Sequence, residues 1–341
     1  MNETEEAAPN KMHELYGRLR DVGLPRRFVR ELILPEWWVD EAGESAAGYL
    51  EALWTISRHI GIDAGVLRDP SARLELPTSE AARFKLQAGT TRESVATAQL
   101  LASQVAKLAL PGAPTPKSNL DRPAATIRAD ILESGQKWVG FEALLKYCWD
   151  AGIPVLHVSH FPRSSTRRMD GMAVNIDGRH AIILTKNIKH PAWLLFHLAH
   201  ELGHVARGHV GNGETFVDDR ISEESDDPVE TEANRFAIEI ITGRAETRVL
   251  ADGQWPSAKD LARDATTLGE SRGIDPGHLI LNYAHSMSGN FFAVANQALK
   301  LLPSAPPAPT LVGEYMAANL DWSRIPTESA EYISRMTGHE L

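Results

Sequence analysis

The sequence predicts an α+β fold, in which a small β-sheet packs on two helices and further helices precede and follow them along the chain. Three observations support this fold class. Apolar residues recur at helical spacing over residues 1–110 and 255–300. Short β-branched, apolar runs occur between residues 153 and 184, as expected for strands. Two further helical patterns, residues 192–209 and 228–241, follow these runs.

The N-terminal region, residues 1–110, is predicted to be a helical domain. Its residues 49–69 indicate two short helices around Gly61, an arrangement also found in helix-turn-helix units. Residues 1–72, however, hold eight Lys and Arg against thirteen Asp and Glu. Because phosphate contacts require basic side chains, this balance favours an interaction module over a domain that binds DNA.

Proline-rich segments divide the rest of the chain. Residues 111–123 hold four prolines and one glycine and are predicted to be a linker. A second domain is predicted over residues 124–250. Residues 251–341 are predicted to form a helical C-terminal region, which four prolines between residues 303 and 309 interrupt.

The second domain is predicted to begin with the sheet. Its strands are predicted at residues 153–158, 172–176 and 181–184. The helix over residues 192–209 starts beside Pro191, and proline is tolerated at the start of a helix.

A loop and a second helix are predicted to follow. Residues 211–227 are rich in glycine and acidic residues, which is typical of a loop. Asp227 and Pro228 suit the entry of a helix, because Asp can cap it and Pro fits its first position. This helix is predicted to reach about residue 241 and to end at Gly243.

The composition is that of an ordinary globular protein, with 43% hydrophobic and 23% charged residues. The net charge of −10 argues against broad coating of nucleic acid. Cys148 is the only cysteine, which excludes a disulfide framework and a cysteine-based zinc site. Residues 1–8 lack the pattern of a secretion signal, and no apolar run is long enough to cross a bilayer. We therefore expect a cytoplasmic protein without a membrane partner.

The segment His200-Glu201-Leu202-Gly203-His204 carries the strongest chemical signal. Positions four apart lie on the same face of a helix, so both imidazoles can reach one metal ion. Glu201 lies beside them and can hold the water molecule that attacks a peptide bond. The alternative is a surface helix with two ordinary histidines. The flanking residues are apolar, however, and a buried pair of histidines with a glutamate is costly unless it binds a metal.

Two histidines need a third protein ligand, and the helix over residues 228–241 offers one. Glu230 and Asn234 share a face at a spacing of four. Glu230 can bind the metal, while Asn234 can hydrogen-bond a ligand histidine. Glu232 points in a different direction and is the poorer candidate. The alternative for both glutamates is a solvated charge on the helix surface.

These segments resemble the ImmA/IrrE-type metallopeptidases. The similarity is carried by Gly171 before a strand, by residues 196–204 and by the pattern over residues 230–237. It covers residues 138–243 and is looser to about residue 300. The resemblance implies a zincin-like metallopeptidase fold for the domain over residues 124–250, with the N-terminal helices as an extension found in larger members.

The resemblance also implies the roles of the motif residues. His200, His204 and Glu230 would bind the metal, and Glu201 would be the catalytic acid and base. Zinc is the expected ion, although manganese also accepts two histidines and a carboxylate. Two features depart from the family pattern: His197 replaces a small hydroxyl residue, and residues 240–243 replace a Leu-Leu-Met-Pro ending.

The family implies a regulatory protease that cleaves a small helix-turn-helix repressor or an antitoxin, in a stress, mobile-element or toxin–antitoxin context. We expect residues 181–185 to pair with the backbone of the substrate. The competing hypothesis is a non-enzymatic transcriptional regulator or antitoxin module with a structural metal. Glu201 distinguishes the two, because a structural site needs no carboxylate beside its first ligand.

A peptidase of this kind needs a donor for the oxyanion. Each candidate in the sequence can also be an ordinary core or surface residue; the candidates are His190, His197, His278, Tyr283 and His285. His209 is expected to interact with the C-terminal dipole of the helix before it, and contact with substrate is the less favoured role.

Overall fold

The computed structural model describes residues 11–76, 83–84, 92–116, 120–163, 170–213, 215–218, 227–246, 255–287 and 291–340. The helices of the N-terminal region are α1 (Lys11–Asp21), α2 (Arg26–Phe28), α3 (Ala46–Ile60), α4 (Ala64–Arg68) and α5 (Arg92–Ala109). A π-helical turn, Val29–Ile33, continues α2 directly. The two helices predicted around Gly61 are therefore confirmed, although α4 has only five residues.

The central and C-terminal helices follow in chain order. The central ones are α6 (Ala124–Glu133), α7 (Phe141–Asp150), α8 (Pro191–Ala206) and α9 (Pro228–Thr242). The C-terminal ones are α10 (Ala258–Arg272), α11 (Pro276–Ser286), α12 (Phe292–Leu299), α13 (Ala308–Asn319) and α14 (Thr327–Thr337). Within the described ranges, no helix is long and apolar enough to cross a membrane.

In the described part of the chain, five short strands form one mixed sheet. They are β1 (Arg83–Phe84), β2 (Val155–His157), β3 (Gly171–Ile176), β4 (Arg179–Leu184) and β5 (Thr215–Asp218), in the spatial order β1-β5-β3-β4-β2. Strands β3 and β4 form an antiparallel hairpin whose two loop residues, Asp177 and Gly178, both have positive φ (53° and 78°). Such a turn matches the twist of the strands, and Asp-Gly is a favoured sequence for it.

The three predicted strands are confirmed, but two others were missed. Strand β1 lies in the region predicted to be helical, and β5 lies in the predicted loop over residues 211–227. Both are too short, at two and four residues, for an alternating pattern to be recognised. Their place in the sheet depends on pairing with each other and with β3, which local sequence does not encode.

The expected substrate-binding role of residues 181–185 is wrong. Strand β4 has β3 on one side and β2 on the other, so its hydrogen-bonding groups are used within the sheet. A substrate backbone therefore has no free edge of β4 to pair with.

The ends of α8 and α9 follow from local chemistry. Asp227 caps α9 by accepting a hydrogen bond from the N–H of Val229 at 2.9 Å, and Gly243 ends it with a φ of 82°. Both ends of α9 are as predicted. Helix α8 stops at Ala206, three residues before the predicted end, because the chain turns at Gly208 with a φ of 68°.

Two hydrophobic cores hold these elements together. The larger core takes side chains from the N-terminal helices, from the sheet with α7, α8 and α9, and from α13 and α14. The smaller core is formed by α10, α11 and α12 together with Ala192 at the start of α8. The larger core extends across residues 110, 123 and 250, so the packing of the core does not mark domain boundaries there. The predicted division into domains stays a prediction.

The last helix returns to the N-terminal region. The Arg58 guanidinium pairs with the Glu328 carboxylate at 2.7 Å. The ring of His59 stacks on the ring of Tyr332, with centroids 4.3 Å apart and nearly parallel planes. Burial lowers the pKa of His59 to about 4, so this stacked imidazole is neutral at pH 7.

Arg128 of α6 ties together the C-terminal ends of α9 and α10. Its buried guanidinium donates to the carbonyl oxygens of Ile241 and Gly273, both at 2.6 Å. The last carbonyls of a helix lack partners within the helix and carry its negative dipole end, so a cation satisfies both needs. Arg128 therefore fixes where α9 ends relative to α6 and α10.

We expect Arg128→Met to lower the free energy of unfolding by about 3 kcal/mol, because each hydrogen bond to a charged group contributes about 1.5–3 kcal/mol and buried carbonyls lose their donor. Urea denaturation of the two proteins measures this difference. The control is Lys146→Met, which removes the exposed ion pair with Asp150 and should cost less than about 1 kcal/mol. Equal losses in the two variants would contradict the role given to Arg128.

Candidate metal centre

The site begins with a close crossing of α8 and α9 at Gly203 and Ala233. A Cβ atom placed on Gly203 would lie 3.2 Å from both the Cα and the carbonyl oxygen of Ala233. This distance is tighter than nine in ten real Cβ contacts, so a larger residue at position 203 would force the two backbones apart by a few tenths of an ångström. The crossing brings the histidines of α8 against the polar residues of α9.

Three side chains converge at this crossing, and we call them the metal-ligand cluster: His200, His204 and Glu230. The Nε2 atoms of the two histidines are 2.9 Å apart. The Glu230 carboxylate oxygens lie 3.4 Å from His200 Nε2 and 3.8 Å from His204 Nε2. The two histidines are fully buried and Glu230 is 4% exposed. The three side chains can therefore offer one atom each to a single ion.

Asn234 orients the first of these histidines. Its Oδ1 lies 2.9 Å from His200 Nδ1. Because an amide oxygen only accepts hydrogen bonds, the proton of neutral His200 is on Nδ1. The Nε2 lone pair then faces His204 and Glu230. The predicted pairing of Asn234 with a ligand histidine is present in this geometry.

The metal-ligand cluster fits a divalent cation. It places a buried carboxylate and an imidazole lone pair around one point, and a buried negative charge is costly without a compensating cation. Burial, with the nearby His200 and His209, also holds the pKa of His204 well below its ordinary value. A neutral imidazole is the form that binds metals.

Glu201 lies against the start of β3 in the sheet. It is fully buried, and a Cβ placed on Gly171 would lie 2.8 Å from its Oε1. Successive residues of a helix are rotated by about 100°, so Glu201 lies beside the two histidines without sharing their face. A larger residue at the start of β3 would therefore displace the Glu201 carboxylate.

His197, one turn before His200 on α8, belongs to a separate polar group. The Lys186 ammonium donates to His197 Nε2 at 3.2 Å and pairs with the Asp170 carboxylate at 2.5 Å. Because its Nε2 accepts this hydrogen bond, His197 is neutral, and burial with the Lys186 charge holds its pKa well below the ordinary value. His197, which departs from the family pattern, thus accepts a hydrogen bond from a lysine that is itself paired with an aspartate.

The other oxyanion candidates have different surroundings. His190 caps α8, accepting a hydrogen bond from the N–H of Ala192. The rings of Tyr283 and His285 pack on phenylalanines beside the smaller core. His278 is buried in α11, and burial lowers its pKa to about 4. Of the five candidates, only His197 lies within one turn of a metal-ligand candidate on the same helix.

His209 and Glu232 have side-chain contacts that were not predicted, and the interaction of His209 with the helix dipole stays a prediction. His209 Nδ1 lies 3.0 Å from His204 Nδ1, and His209 Nε2 lies 3.2 Å from Glu232 Oε2. Helical spacing could not place His209, because it follows the turn at Gly208. The signal available in the sequence was Gly208, because a glycine just after the last helical residue is typical of a C-terminus at which the chain reverses direction.

Comparison with known proteins agrees with this geometry. Residues 153–271 match the family model Peptidase M78, described as the IrrE N-terminal-like domain. No curated protein and no solved structure matches the chain. The matched residues include β2, β3, β4, α8 and α9, and so contain the whole metal-ligand cluster. Residues 153–271 are therefore similar to the IrrE N-terminal-like domain, which confirms the family resemblance of the sequence motifs.

Proposed function

We propose that this protein is a zinc-dependent endopeptidase with a zincin-like domain, whose active site lies between α8, α9 and the start of β3. The observation that supports this most strongly is the buried metal-ligand cluster with a second buried carboxylate, Glu201, beside it. A structural metal site requires only the ligands. A buried carboxylate that is not a ligand suits acid–base chemistry.

In this proposal, His200, His204 and Glu230 would hold the ion, as expected for a catalytic zinc site with three protein ligands. A zinc ion bound there would lower the pKa of water to about 7 and polarise a carbonyl group. Manganese would accept the same donors, although zinc binds such sites more tightly. Asn234 keeps His200 in the tautomer that presents Nε2 to the ion.

Glu201 carries the proton transfers. It accepts a proton from the attacking water molecule and delivers it to the nitrogen of the leaving amine. Its burial against Gly171 keeps the carboxylate in one position and excludes bulk water from it. The reaction is hydrolysis of a peptide bond, in which one water molecule is consumed and two chain ends are released.

The substrate we propose is a small helix-turn-helix repressor or antitoxin, cleaved in the cytoplasm in a stress, mobile-element or toxin–antitoxin context. The N-terminal region would bind this protein and not DNA. Its acidic charge balance supports this role.

The first prediction concerns metal content. The native protein should carry about one divalent ion after dialysis, as expected for one three-ligand site. His200→Ala and Glu230→Gln should lose it, because each removes a ligand. Glu239→Gln should keep it, since Glu239 lies on α9 outside the cluster. Elemental analysis of the four proteins tests this, and unchanged metal in His200→Ala would refute the site.

The second prediction concerns Glu201. Glu201→Gln should keep the fold and the ion, because glutamine is nearly isosteric and residue 201 is not a ligand. Cleavage of a helix-turn-helix repressor encoded nearby should fall by at least about 10²–10⁴-fold, which is the usual contribution of general acid–base catalysis. The assay is gel electrophoresis of the repressor over time.

The control for this assay is Glu239→Gln, a glutamate on α9 outside the cluster, which should cut at the native rate. Near-native cleavage by Glu201→Gln would contradict the mechanism. If the native protein cut nothing but bound a toxin or an operator, the non-enzymatic hypothesis would replace this one.

The third prediction concerns Gly171. Gly171→Ala places a Cβ 2.8 Å from Glu201 Oε1, so the carboxylate must move. A displacement of about 1 Å at a catalytic group typically costs about 10²-fold in rate. Metal content should stay at the native level, because no ligand is touched. Gly17→Ala, where a Cβ meets nothing within 4 Å, is the matched control and should leave the rate unchanged. Full activity in Gly171→Ala would show that Glu201 needs no fixed position.

A further inference from the structure

His204 is contacted on its outer side by a chain of two side chains that the family motif does not include. We propose that His209 and Glu232, here called the outer relay, position His204 for metal binding. This inference rests on the proposed metal centre. It assigns to the outer relay the role that Asn234 has for His200.

The hydrogen-bond directions in the outer relay follow from its last member. A carboxylate only accepts, so His209 Nε2 carries a proton and donates to Glu232 Oε2 at 3.2 Å. With its Nε2 proton donated to Glu232, His209 accepts at Nδ1 from His204 Nδ1 at 3.0 Å. The proton of His204 is therefore on Nδ1. Its Nε2 presents a lone pair to the cluster, which is the tautomer that binds a metal.

The end of α8 places His209 over His204. The N–H of His209 donates to the carbonyl of His204 at 2.9 Å, and the N–H of Gly208 donates to that of Val205 at 3.2 Å. With the positive φ of Gly208, these two bonds make a Schellman motif, which folds the chain back over the last helical turn. Backbone and ring of His209 are thus both anchored to His204.

Glu232 holds the other end from the neighbouring helix. It lies on α9 two residues after Glu230. Helix α9 therefore supplies one candidate ligand, Glu230, and also a residue that supports a second candidate ligand, His204. The His209 side chain is 10% exposed and that of Glu232 is 56% exposed. The outer relay therefore runs from the buried cluster to the protein surface.

The two histidines of the cluster receive unequal support. His200 faces a neutral amide, whereas His204 faces an imidazole that a carboxylate polarises. An anionic partner raises the basicity of a ligand histidine, and loss of such a partner typically weakens metal binding by about 10–100-fold. If the partly exposed pair of His209 and Glu232 did not contact His204, it would contribute little to the stability of the protein.

The test is Co²⁺ binding to the full-length apo-protein, measured by competition with a chelator and by visible absorption. His209→Ala should weaken binding by about 10–100-fold and change the absorption band, because His204 loses its fixed orientation. His209→Asn should restore most of the affinity, since its Oδ1 can accept from His204 Nδ1 as Asn234 does for His200. Thermal unfolding of the apo-proteins should stay similar, which separates positioning from stability.

A double-mutant cycle tests the connection to Glu232. Glu232→Ala should weaken Co²⁺ binding in the native background and have no further effect in the His209→Asn background, because the chain is already cut there. Glu239→Gln on α9 is the matched control and should bind Co²⁺ like the native protein. Additive effects of the two substitutions would overturn the relay.

The outcomes also separate this inference from the metal centre itself. Native Co²⁺ affinity and spectrum in His209→Ala, together with lost binding in His200→Ala, would overturn the outer relay and leave the metal centre intact. Absence of Co²⁺ binding by the native protein would overturn the metal centre and the outer relay with it.

Discussion

The close approach of α8 and α9 is the constraint on which the site depends. Gly203 and Ala233 have the smallest side chains available, and a Cβ on Gly203 would already be in contact with the opposite backbone. The ligand atoms of the two motif histidines and of Glu230 consequently meet within 4.8 Å of one another. If the two helices crossed farther apart, the histidine nitrogens could not bind the same cation as the Glu230 carboxylate. That carboxylate would then be buried without a compensating positive charge, which is costly in an apolar interior. The close packing of α8 on α9 therefore also creates the geometry of the metal-ligand cluster.

Three arginines, of which Arg128 is buried and Arg18 and Arg179 are half-buried, hold backbone segments in different parts of the fold. Arg18, Arg128 and Arg179 each donate to backbone carbonyls of at least three residues, mostly at the ends of helical turns. Five donors in a rigid fork suit several carbonyls at once, which a lysine ammonium does less well. Polar contacts thus hold helix ends, and apolar contacts hold helix faces. Both kinds of contact fix the positions of α9 and of the sheet.

Local signals determined what could be predicted from the sequence. The caps Asp227 and Gly243 and the histidine spacing of α8 are encoded within a few residues, and the structure has them as expected. The order of the strands is not encoded locally, so the inner position of β4 and the pairing of β5 were missed. The contact of His209 with His204 was missed for a related reason: it depends on the reversal at Gly208, where helical periodicity no longer applies.

The contacts of α14 with the N-terminal region have a consequence for the order of folding during synthesis. Arg58 and Glu328 are 270 positions apart, and Arg335 donates to the carbonyl of Leu32 over 303 positions. Contacts of such high sequence separation close last, after the entropy of a long loop has been lost. The ribosome releases the N-terminal helices long before it makes α14, so their α14-binding surface stays open until α14 has been made. A nascent chain therefore completes its larger core only when α14 emerges, and a chain that stops before residue 327 never does.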